Sequence, residues 1–484
     1  MNLSESVLPN SESGHIFECM VAFTAVRTTG IYCRPGCSAR PLAQNTRLFD
    51  IAAAAEAEGF RPCLRCRPYR AAAPAFMSGP DIVCRGVSMI LDGYLDTATE
   101  GAMAEQLGAS SRHLRRLFRE HLGVTPNELA KSSRAHFARR LLDDTDFTVT
   151  EIAFAAGFGS VRQMNRVFKE IFRSTPTELR SKRRRADRLV ADGGLPLRLP
   201  FDGPFDWYMM IRFLRQWAIP GVEHVTDDWY RRTVMIDGHP GVLEVRPLDQ
   251  QHLIVVAHLP HWEGLIHIAR RASSIFGLTS PTGPAREHLG TDPILGPLVD
   301  EFPGVRVPGA WDPFEIAIVA IIGQEKSPVE TRLTTGRLVR NHGESVSGLT
   351  ELGLTHVFPD PEALMGATLA ELGVSERTRR SIGALSTAVA SGELSLDPSQ
   401  DVDDLISGLS GMPGIEEATV QNILWRLGFR DAFPVPNNEL KTRLQMFSGG
   451  SRHVVESAEN WRPWRSLAAS YLLATDNMSE AKSA

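Results

Sequence analysis

The 484-residue sequence predicts a multidomain α+β protein, and three observations support that fold class. The chain is longer than one hydrophobic core usually organises, so about three or four domains are expected. Two close cysteine pairs near the N-terminus predict a small α/β unit built around a metal ion. An internal repeat at an offset of 50 residues predicts an all-α domain that contains two similar helical units.

The composition is that of an ordinary globular protein, with 43% hydrophobic and 23% charged residues. No apolar run reaches the roughly 18 residues of a membrane helix, and no signal-peptide pattern is present, so we expect no membrane partner. Besides the two pairs, the chain contains Cys19 and Cys84, which suits a reducing compartment better than a disulfide framework. We therefore expect a cytoplasmic protein, and a monomer.

The net charge of −5 hides an uneven distribution of charge along the chain. Residues 85–185 carry 18 Lys+Arg against 12 Asp+Glu, whereas residues 186–484 carry 26 against 38. Residues 1–84 are nearly balanced, with 8 against 7. A basic segment inside an acidic chain predicts a nucleic-acid contact that is confined to that segment.

The first predicted domain, residues 1–78, contains both cysteine pairs. Cys33 and Cys37 are followed after 25 residues by Cys63 and Cys66. Four thiolates with this spacing can complete one tetrahedral Zn²⁺ site, with Zn–S bonds of roughly 2.3 Å. Two disulfides, or four small buried side chains, are the alternatives. Around the cysteines, the sequence predicts a strand at Val21–Val26 and a short alanine-rich helix at Ile51–Glu58, which Gly59 ends.

The stretches Arg27–Cys37 and Gly59–Cys66 resemble the N-terminal domain of the Ada DNA-alkylation response proteins. The resemblance implies that Cys33 is both a zinc ligand and the acceptor of a methyl group from a DNA methylphosphotriester. It makes Cys37, Cys63 and Cys66 the remaining ligands. Because a site of four thiolates is negative, its approach to a phosphate backbone needs a positive rim, for which the candidates are Arg34, Arg40, Arg65 and Arg67. A zinc site that only holds the domain together is the alternative.

The second predicted domain, residues 82–185, contains the repeat. In each copy a short helix precedes a turn with Gly108 or Gly157, and a second helix begins after an N-cap, Ser110 or Ser160. This is a helix-turn-helix pattern, and the polar faces of the second helices carry side chains of the types that read base edges in a major groove. The candidate DNA-binding residues are Arg112, His113, Arg115, Arg116, Arg162, Gln163, Asn165 and Arg166.

The second copy, with Ile152–Phe158 and Thr175–Pro176, resembles the AraC-type DNA-binding domain. The resemblance implies double-stranded DNA as a partner, at promoters and at alkylated sites, and RNA polymerase as a further partner. A solvated basic helical bundle without a DNA-binding role is the alternative.

The C-terminal half is predicted to contain a mixed α/β domain at residues 195–300 and a mostly α-helical domain at residues 301–478. We expect a helix near Trp207–Trp217, strands at Arg232–Ile236 and Leu253–Ala257, and a loop from Thr279 to Gly309. This half resembles the AlkA-type DNA-3-methyladenine glycosylases of the helix-hairpin-helix superfamily. The matching stretches are Ala320–Gln324, Met412–Ile415, Asp431–Pro434 and Trp461–Ser466.

The resemblance to the glycosylases does not extend to the catalytic aspartate of that family. The family places an aspartate four residues after the phenylalanine matched by Phe433, and this chain has Asn437 there. An amide cannot supply the anionic charge that stabilises the sugar cation, and losing such a term commonly costs about 3–4 kcal/mol. Other departures are Glu416 and Glu417 in the hairpin, Ala418 and Asn422 in the base pocket, and Glu325 and Lys326 at the duplex wedge.

Three functions therefore compete. The first is a methyl-accepting repair protein and transcription regulator with a degenerate glycosylase half. The second is a bifunctional enzyme with a working glycosylase that uses another carboxylate, such as Glu439. The third is a DNA-binding regulator whose zinc site is purely structural.

Overall fold

The computed structural model describes residues 23–39, 41–71, 80–183, 194–280, 282–434 and 458–474. Within these ranges, no helix has the length and apolar character that a membrane span requires. The described elements comprise two separate β-sheets and a larger number of helices, which confirms the predicted α+β class.

The N-terminal unit is a small sheet with a helix packed beside it. Its elements are β1 (Phe23–Val26), β2 (Ile31–Cys33), β3 (Thr46–Phe49), α1 (Ala52–Ala57) and β4 (Arg61–Pro62). The strand order is β3-β1-β2-β4, and only the β2–β4 pair among them is parallel. In that pair Tyr32 lies opposite Pro62, so the next residues along the two strands, Cys33 and Cys63, emerge side by side. The predicted strand is confirmed from Phe23 onward, and the predicted helix is confirmed at α1.

The basic segment is all-helical. Its helices are α2 (Asp81–Leu91), α3 (Tyr94–Thr97), α4 (Glu100–Gln106), α5 (Ser111–Leu122), α6 (Pro126–Asp144), α7 (Val149–Ala155), α8 (Val161–Phe172) and α9 (Pro176–Ser181). The pairs α4–α5 and α7–α8 are the two predicted helix-turn-helix units, and the 19-residue helix α6 connects them.

The turns of these units form as the sequence predicts. Gly108 and Gly157 have φ of +68° and +77°, a left-handed conformation that glycine adopts without steric cost. The Ser110 hydroxyl then accepts a hydrogen bond from the His113 N–H, and the Ser160 hydroxyl accepts one from the Gln163 N–H. Both predicted N-caps are therefore confirmed, and each second helix begins at a defined residue.

The second sheet belongs to the mixed α/β region. Its elements are β5 (Leu195–Pro200), α10 (Trp207–Trp217), β6 (Glu223–Val225), β7 (Tyr230–Ile236), β8 (His239–Asp249), β9 (His252–His258) and α11 (Leu265–Ile275). All strand pairs are antiparallel, in the order β5-β9-β8-β7-β6. The predicted helix and both predicted strands are confirmed.

The predicted loop from Thr279 to Gly309 is wrong in part, because it contains two short helices, α12 (Gly283–Leu289) and α13 (Gly296–Glu301). A proline stands at the first turn of each helix, where its missing N–H costs nothing. Ala285, Leu289, Leu298 and Val299 pack against Trp461 in one apolar cluster. The abundance of Pro and Gly suggested a loop, but this burial stabilises helical turns.

The remaining chain is mostly helical, as predicted. Its helices are α14 (Pro313–Ile322), α15 (Pro328–His342), α16 (Pro361–Leu364), α17 (Glu376–Ala390), α18 (Val402–Ser410), α19 (Glu417–Arg426) and α20 (Arg465–Ala474). Helix α14 is buried on every side and packs against α15, α17 and α19. It forms the centre of this region's apolar core.

The apolar cores extend across the predicted domain boundaries. Phe23 and Ile51 of the small sheet unit share one buried cluster with Met103 and Phe118 of the first helix-turn-helix unit. A second cluster runs from the other helix-turn-helix unit into the antiparallel sheet. The successive units are therefore packed against one another through buried surfaces.

A charged cluster at the C-terminal end of α6 joins three parts of the chain. The Asp143 side chain is fully buried and accepts hydrogen bonds from the Tyr69 hydroxyl at 3.0 Å, from Arg70 at 3.3 Å and from Arg139. The neighbouring Asp144 accepts from Arg70 at 3.1 Å and from Arg198 of β5. We call these six residues the α6 charge cluster.

We expect Asp143→Asn to destabilise the N-terminal half by about 3 kcal/mol, because it leaves buried guanidinium groups without their carboxylate. The measurement is urea-induced unfolding followed by the circular dichroism of the helices. Glu120→Gln is the matched control, since its ion pair with Arg116 is exposed and should contribute no more than about 1 kcal/mol. Equal unfolding midpoints for the two variants would contradict a stabilising role of the cluster.

Candidate functional site

The four predicted ligands converge in the structure. The Sγ atoms of Cys33, Cys37, Cys63 and Cys66 all lie within 4.8 Å of one another. A tetrahedron with Zn–S bonds of about 2.3 Å has sulfur–sulfur edges of roughly 3.8 Å, so small side-chain adjustments suffice to hold the ion. All four are free thiols, which argues against the disulfide alternative. The donor set therefore fits one Zn²⁺.

Burial and backbone hydrogen bonds set the acidity of these thiols. Burial raises the pKa of Cys33, which is 6% exposed, and nearby Cys66 and Cys63 raise it further. Burial also raises the pKa of Cys66 to about 12. At Cys63 burial raises the pKa, but backbone N–H groups of Cys66 and Arg65 outweigh it, so the pKa is lowered on balance. Thiolates this close repel one another, and a divalent cation offsets that repulsion.

The structure supports only part of the predicted arginine rim. Arg65 is exposed and Arg34 is half-buried beside the cysteines, whereas Arg40 lies outside the described residues. Arg67 differs from the prediction: its side chain is 12% exposed and its guanidinium lies 3.7 Å from the Asp143 carboxylate. The backbone of Arg67 is left-handed, with φ of +50°, which turns the chain toward α6 directly after Cys66. Arg67 therefore contacts the helical domain and does not extend the rim.

The second helix of each helix-turn-helix unit presents its predicted polar face. Leu114 and Phe118 of α5, like Met164 and Phe168 of α8, are fully buried, so the opposite faces of these helices point outward. Six of the predicted DNA-binding residues are exposed, and two are half-buried. The exposed residues are Arg112, His113, Arg115, Arg116, Arg162 and Arg166, and the half-buried ones are Gln163 and Asn165.

Several of these side chains are already engaged within the protein. Arg115 pairs with the buried Glu100, and Arg116 lies 3.4 Å from Glu120. The Gln163 side-chain oxygen accepts a hydrogen bond from the Gly159 N–H at 3.0 Å. Arg112 and Arg162 therefore stand out as the arginines near the start of each helix that form no ion pair with the described residues.

In the C-terminal half, Asn437 and Glu439 lie outside the described residues. Shortly before them, Phe433 is buried, stacks edge-on with Trp461 at 5.8 Å, and donates its N–H to the Gln421 side-chain oxygen. This packing holds Phe433 in place against Trp461.

The hairpin of this half uses its polar groups internally. The Glu416 N–H donates to the Gln324 side-chain oxygen at 2.9 Å, and the Glu416 carboxylate lies 3.0 Å from Arg377. Glu325 accepts a hydrogen bond from the Ser375 hydroxyl at 2.7 Å. Ala418 and Asn422 are half-buried on α19, where they offer no aromatic surface. The Glu416 amide is thus already hydrogen-bonded, next to its own acidic side chain.

Sequence reasoning missed the residues that connect the metal site to the helices. These are the α6 charge cluster and a smaller network in which the Tyr32 hydroxyl donates to Glu56 at 2.7 Å and His136 contacts the same carboxylate at 2.6 Å. The spacing of Arg139 and Asp143, four residues apart on one helix, was a usable signal of ion pairing. Nothing local to the sequence indicated Tyr32, Glu56 or Tyr69.

We expect the chain to bind one Zn²⁺, and Cys37→Ser to weaken that binding by more than the roughly 10- to 100-fold typical of outer-shell partners. A serine hydroxyl stays protonated and is a poor ligand in place of a thiolate. Metal content per chain, measured by atomic emission after chelator challenge, checks this. Cys84→Ser, outside the cluster on α2, should retain the full metal content; equal metal loss in both variants would rule out the assigned ligand set.

Three family models match the chain. They are the metal binding domain of Ada at residues 20–69, a helix-turn-helix domain at residues 103–182 and the AlkA N-terminal domain at residues 196–312. With the geometry above, the first match identifies the four cysteines as the site of one Zn²⁺. The second identifies DNA as a partner of the chain.

Known proteins resemble the whole chain or one half of it. The "Probable bifunctional transcriptional activator/DNA repair enzyme AlkA" of Mycobacterium tuberculosis is 34% identical over 458 residues, which cover 93% of this chain and 92% of that protein. The "DNA-3-methyladenine glycosylase 2" of Escherichia coli is 28% identical over 287 residues, covering 57% and 96%. The "Bifunctional transcriptional activator/DNA repair enzyme Ada" of Escherichia coli is 37% identical over 152 residues, covering 31% and 39%.

One solved structure supports the fold of the C-terminal half. The 3-methyladenine DNA-glycosylase of Archaeoglobus fulgidus superposes with a TM-score of 0.51 at 20% identity, covering 58% of this chain and 98% of that one. At this identity the likeness concerns the fold alone. Because the similarity to the Mycobacterium tuberculosis protein extends over nearly the entire length of both chains, this chain belongs to the same family as that probable bifunctional transcriptional activator/DNA repair enzyme.

Proposed function

We propose that this protein responds to DNA alkylation by accepting a methyl group from a DNA methylphosphotriester on Cys33 and by regulating transcription through its helix-turn-helix units. The observation that carries the proposal is the four-cysteine cluster, with Cys33 at the end of β2 inside the segment that matches the metal binding domain of Ada. The names of the relatives, which pair transcriptional activation with DNA repair, agree with both halves of the proposal.

The transfer is a nucleophilic substitution at the methyl carbon. The Cys33 sulfur donates an electron pair to form the S–C bond, and the C–O bond to the phosphotriester breaks with its electron pair going to oxygen. The products are a thioether on Cys33 and an ordinary phosphodiester anion, so no proton or further reactant is needed. A bound Zn²⁺ would keep the four sulfurs deprotonated, as thiolates, at neutral pH.

The surroundings of Cys33 suit a nucleophile that attacks DNA. Its sulfur belongs to the four-cysteine cluster, where a bound Zn²⁺ would keep it as a thiolate, the nucleophilic form of cysteine. Arg34 and Arg65 provide positive charge beside the cluster for an approaching phosphate backbone. Because the thioether cannot be removed by the same reaction, each chain is consumed by one transfer.

Methylation also gives a physical signal for regulation. It removes one negative charge from the cysteine cluster, so repulsion between the cluster and DNA phosphates falls and affinity for DNA rises. Helices α5 and α8, in the basic segment, would then hold the protein at a promoter. RNA polymerase as the responding partner, a monomeric state and a cytoplasmic location remain predictions from the sequence.

Incubation with DNA that contains methylphosphotriesters should add one methyl group to each chain, on the peptide that carries Cys33. Peptide mass spectrometry locates the methyl group, and Cys84→Ser should be methylated as efficiently as wild type. Binding of the methylated protein to promoter DNA at fixed salt should be at least about tenfold tighter, equivalent to about 1.4 kcal/mol.

No methyl transfer by a protein that retains its Zn²⁺ would favour a purely binding regulator with a structural zinc site. A methyl group on Cys37, Cys63 or Cys66 with Cys33 unmodified would show that the acceptor was assigned incorrectly, without affecting the rest of the proposal.

For the C-terminal half we propose a glycosylase fold that has lost base excision. The 28% identity to a DNA-3-methyladenine glycosylase favours an active enzyme. Against it stand the amide at Asn437 and the hairpin in which Glu416 is bound to Gln324 and Arg377. The missing negative charge at Asn437 disfavours stabilisation of the transition state, and the negative charge of Glu416 disfavours phosphate binding.

Base release from methylated DNA separates these possibilities. We expect wild type to release alkylated bases at least about a hundredfold more slowly than a competent glycosylase, because the amide supplies no charge. Asn437→Asp should recover part of the rate, and Asn438→Asp is its matched control. Wild-type release at the rate of a competent enzyme would contradict the proposed loss and would point to another carboxylate, such as Glu439.

A further inference from the structure

An apolar cavity separates the small sheet unit from the first helix-turn-helix unit. Its enclosed volume is about 100 Å³, and the space together with its opening to solvent is about 740 Å³. Ile51 at the start of α1 forms one wall, and Val87, Leu91 and Leu122 from α2 and α5 form another. We call this space the interdomain cavity.

Helix α6 contributes the polar side of the interdomain cavity. Ser132, His136 and Arg140 are spaced four residues apart and therefore lie on one face of the helix, with Ser133 beside them. His136 is engaged, because it contacts the Glu56 carboxylate at 2.6 Å and the Tyr32 hydroxyl at 3.3 Å. Neither serine hydroxyl makes a hydrogen bond to another described residue.

Arg140 is a half-buried cation to which no described residue offers a hydrogen-bond acceptor. Its Nε is buried and makes no hydrogen bond to the described part of the chain. The guanidinium carbon lies 5.3 Å from the ring centroid of Phe137. The side chain is half-buried, as expected for a residue in a cavity wall.

The nearby acids do not compensate this charge. Burial lowers the pKa of Arg140 to about 10, and Asp144 is the carboxylate that opposes the shift. Asp144, however, already accepts hydrogen bonds from Arg70 and Arg198. Arg140 stays protonated at neutral pH, and a partly desolvated charge without a hydrogen bond to a described carboxylate is costly. The cavity is therefore complementary to an anion.

We propose that the interdomain cavity is the binding site of a small amphiphilic carboxylate, held by Arg140 and the Ser133 hydroxyl and covered by the apolar walls. The planar guanidinium matches the two oxygens of a carboxylate. An inorganic anion would leave the apolar walls uncovered, and a neutral apolar molecule would leave Arg140 unpaired. A ligand in this place contacts α1 and α6 together and so bridges the metal unit and the DNA-binding helices.

The test uses the full-length zinc-loaded protein and decanoate, kept below its micelle-forming concentration. We expect saturable binding by titration calorimetry and an increase in the thermal midpoint of the N-terminal half. Decanol, with the same chain but no charge, and acetate, with the charge but no chain, should each bind at least about tenfold more weakly.

Two variants and one control test the contributions of the charge and of the apolar walls to binding separately. Arg140→Met has an apolar side chain of similar length and should weaken decanoate binding at least about tenfold. The ligand-free protein should keep or gain stability, because a partly desolvated charge without a hydrogen-bonded carboxylate is removed. Arg332→Met, at an exposed arginine on α15, should bind decanoate as wild type does. Leu91→Trp fills the cavity without touching Arg140 and should also abolish binding.

Three outcomes would overturn the proposal: no binding by wild type, undiminished binding by Arg140→Met, or equal affinities for decanoate and decanol. If Arg140→Met fails to fold, Leu91→Trp and the decanol comparison still decide the question. A loss of stability in the folded Arg140→Met protein, without loss of binding, would assign Arg140 a structural role with Asp144.

Discussion

The arrangement of the N-terminal half depends on two buried carboxylates at the end of one helix. Asp143 and Asp144 lie at the C-terminal end of α6, where the helix dipole disfavours negative charge. Guanidinium groups from the small sheet unit, from α6 itself and from strand β5 compensate them. Because neither sign of charge can be buried alone, these three parts of the chain must pack together.

This constraint couples the position of the cysteine cluster to that of the predicted DNA-binding helices. Arg67 follows Cys66 directly and contacts Asp143, at the end of the helix that connects the two helix-turn-helix units. The network of Tyr32, Glu56 and His136 forms a second link between the same two regions. A change of charge or shape at the cysteines therefore acts on a helix whose position both helix-turn-helix units share. The interdomain cavity lies against that same helix.

In the C-terminal half, the residues that form the core are distinct from those on which the proposed loss of base excision rests. The core is built from apolar side chains on α14, α17 and α19. At the hairpin and the predicted wedge, Glu416 pairs with Arg377 and Glu325 accepts a hydrogen bond from Ser375. The fold and the activity depend on different residues, so a similar fold does not establish a similar activity.

The sequence alone determined the ligand set, the two helix-turn-helix units and their N-caps. Cysteine spacing, glycine turns and serine caps act within a few residues, so their consequences are readable locally. Only the tertiary structure decided that Arg67 contacts α6, that α12 and α13 are helical, and that Arg140 lines a cavity in which no described residue accepts a hydrogen bond from it. Those outcomes depend on which distant segments meet, because burial and charge pairing are properties of the packed chain.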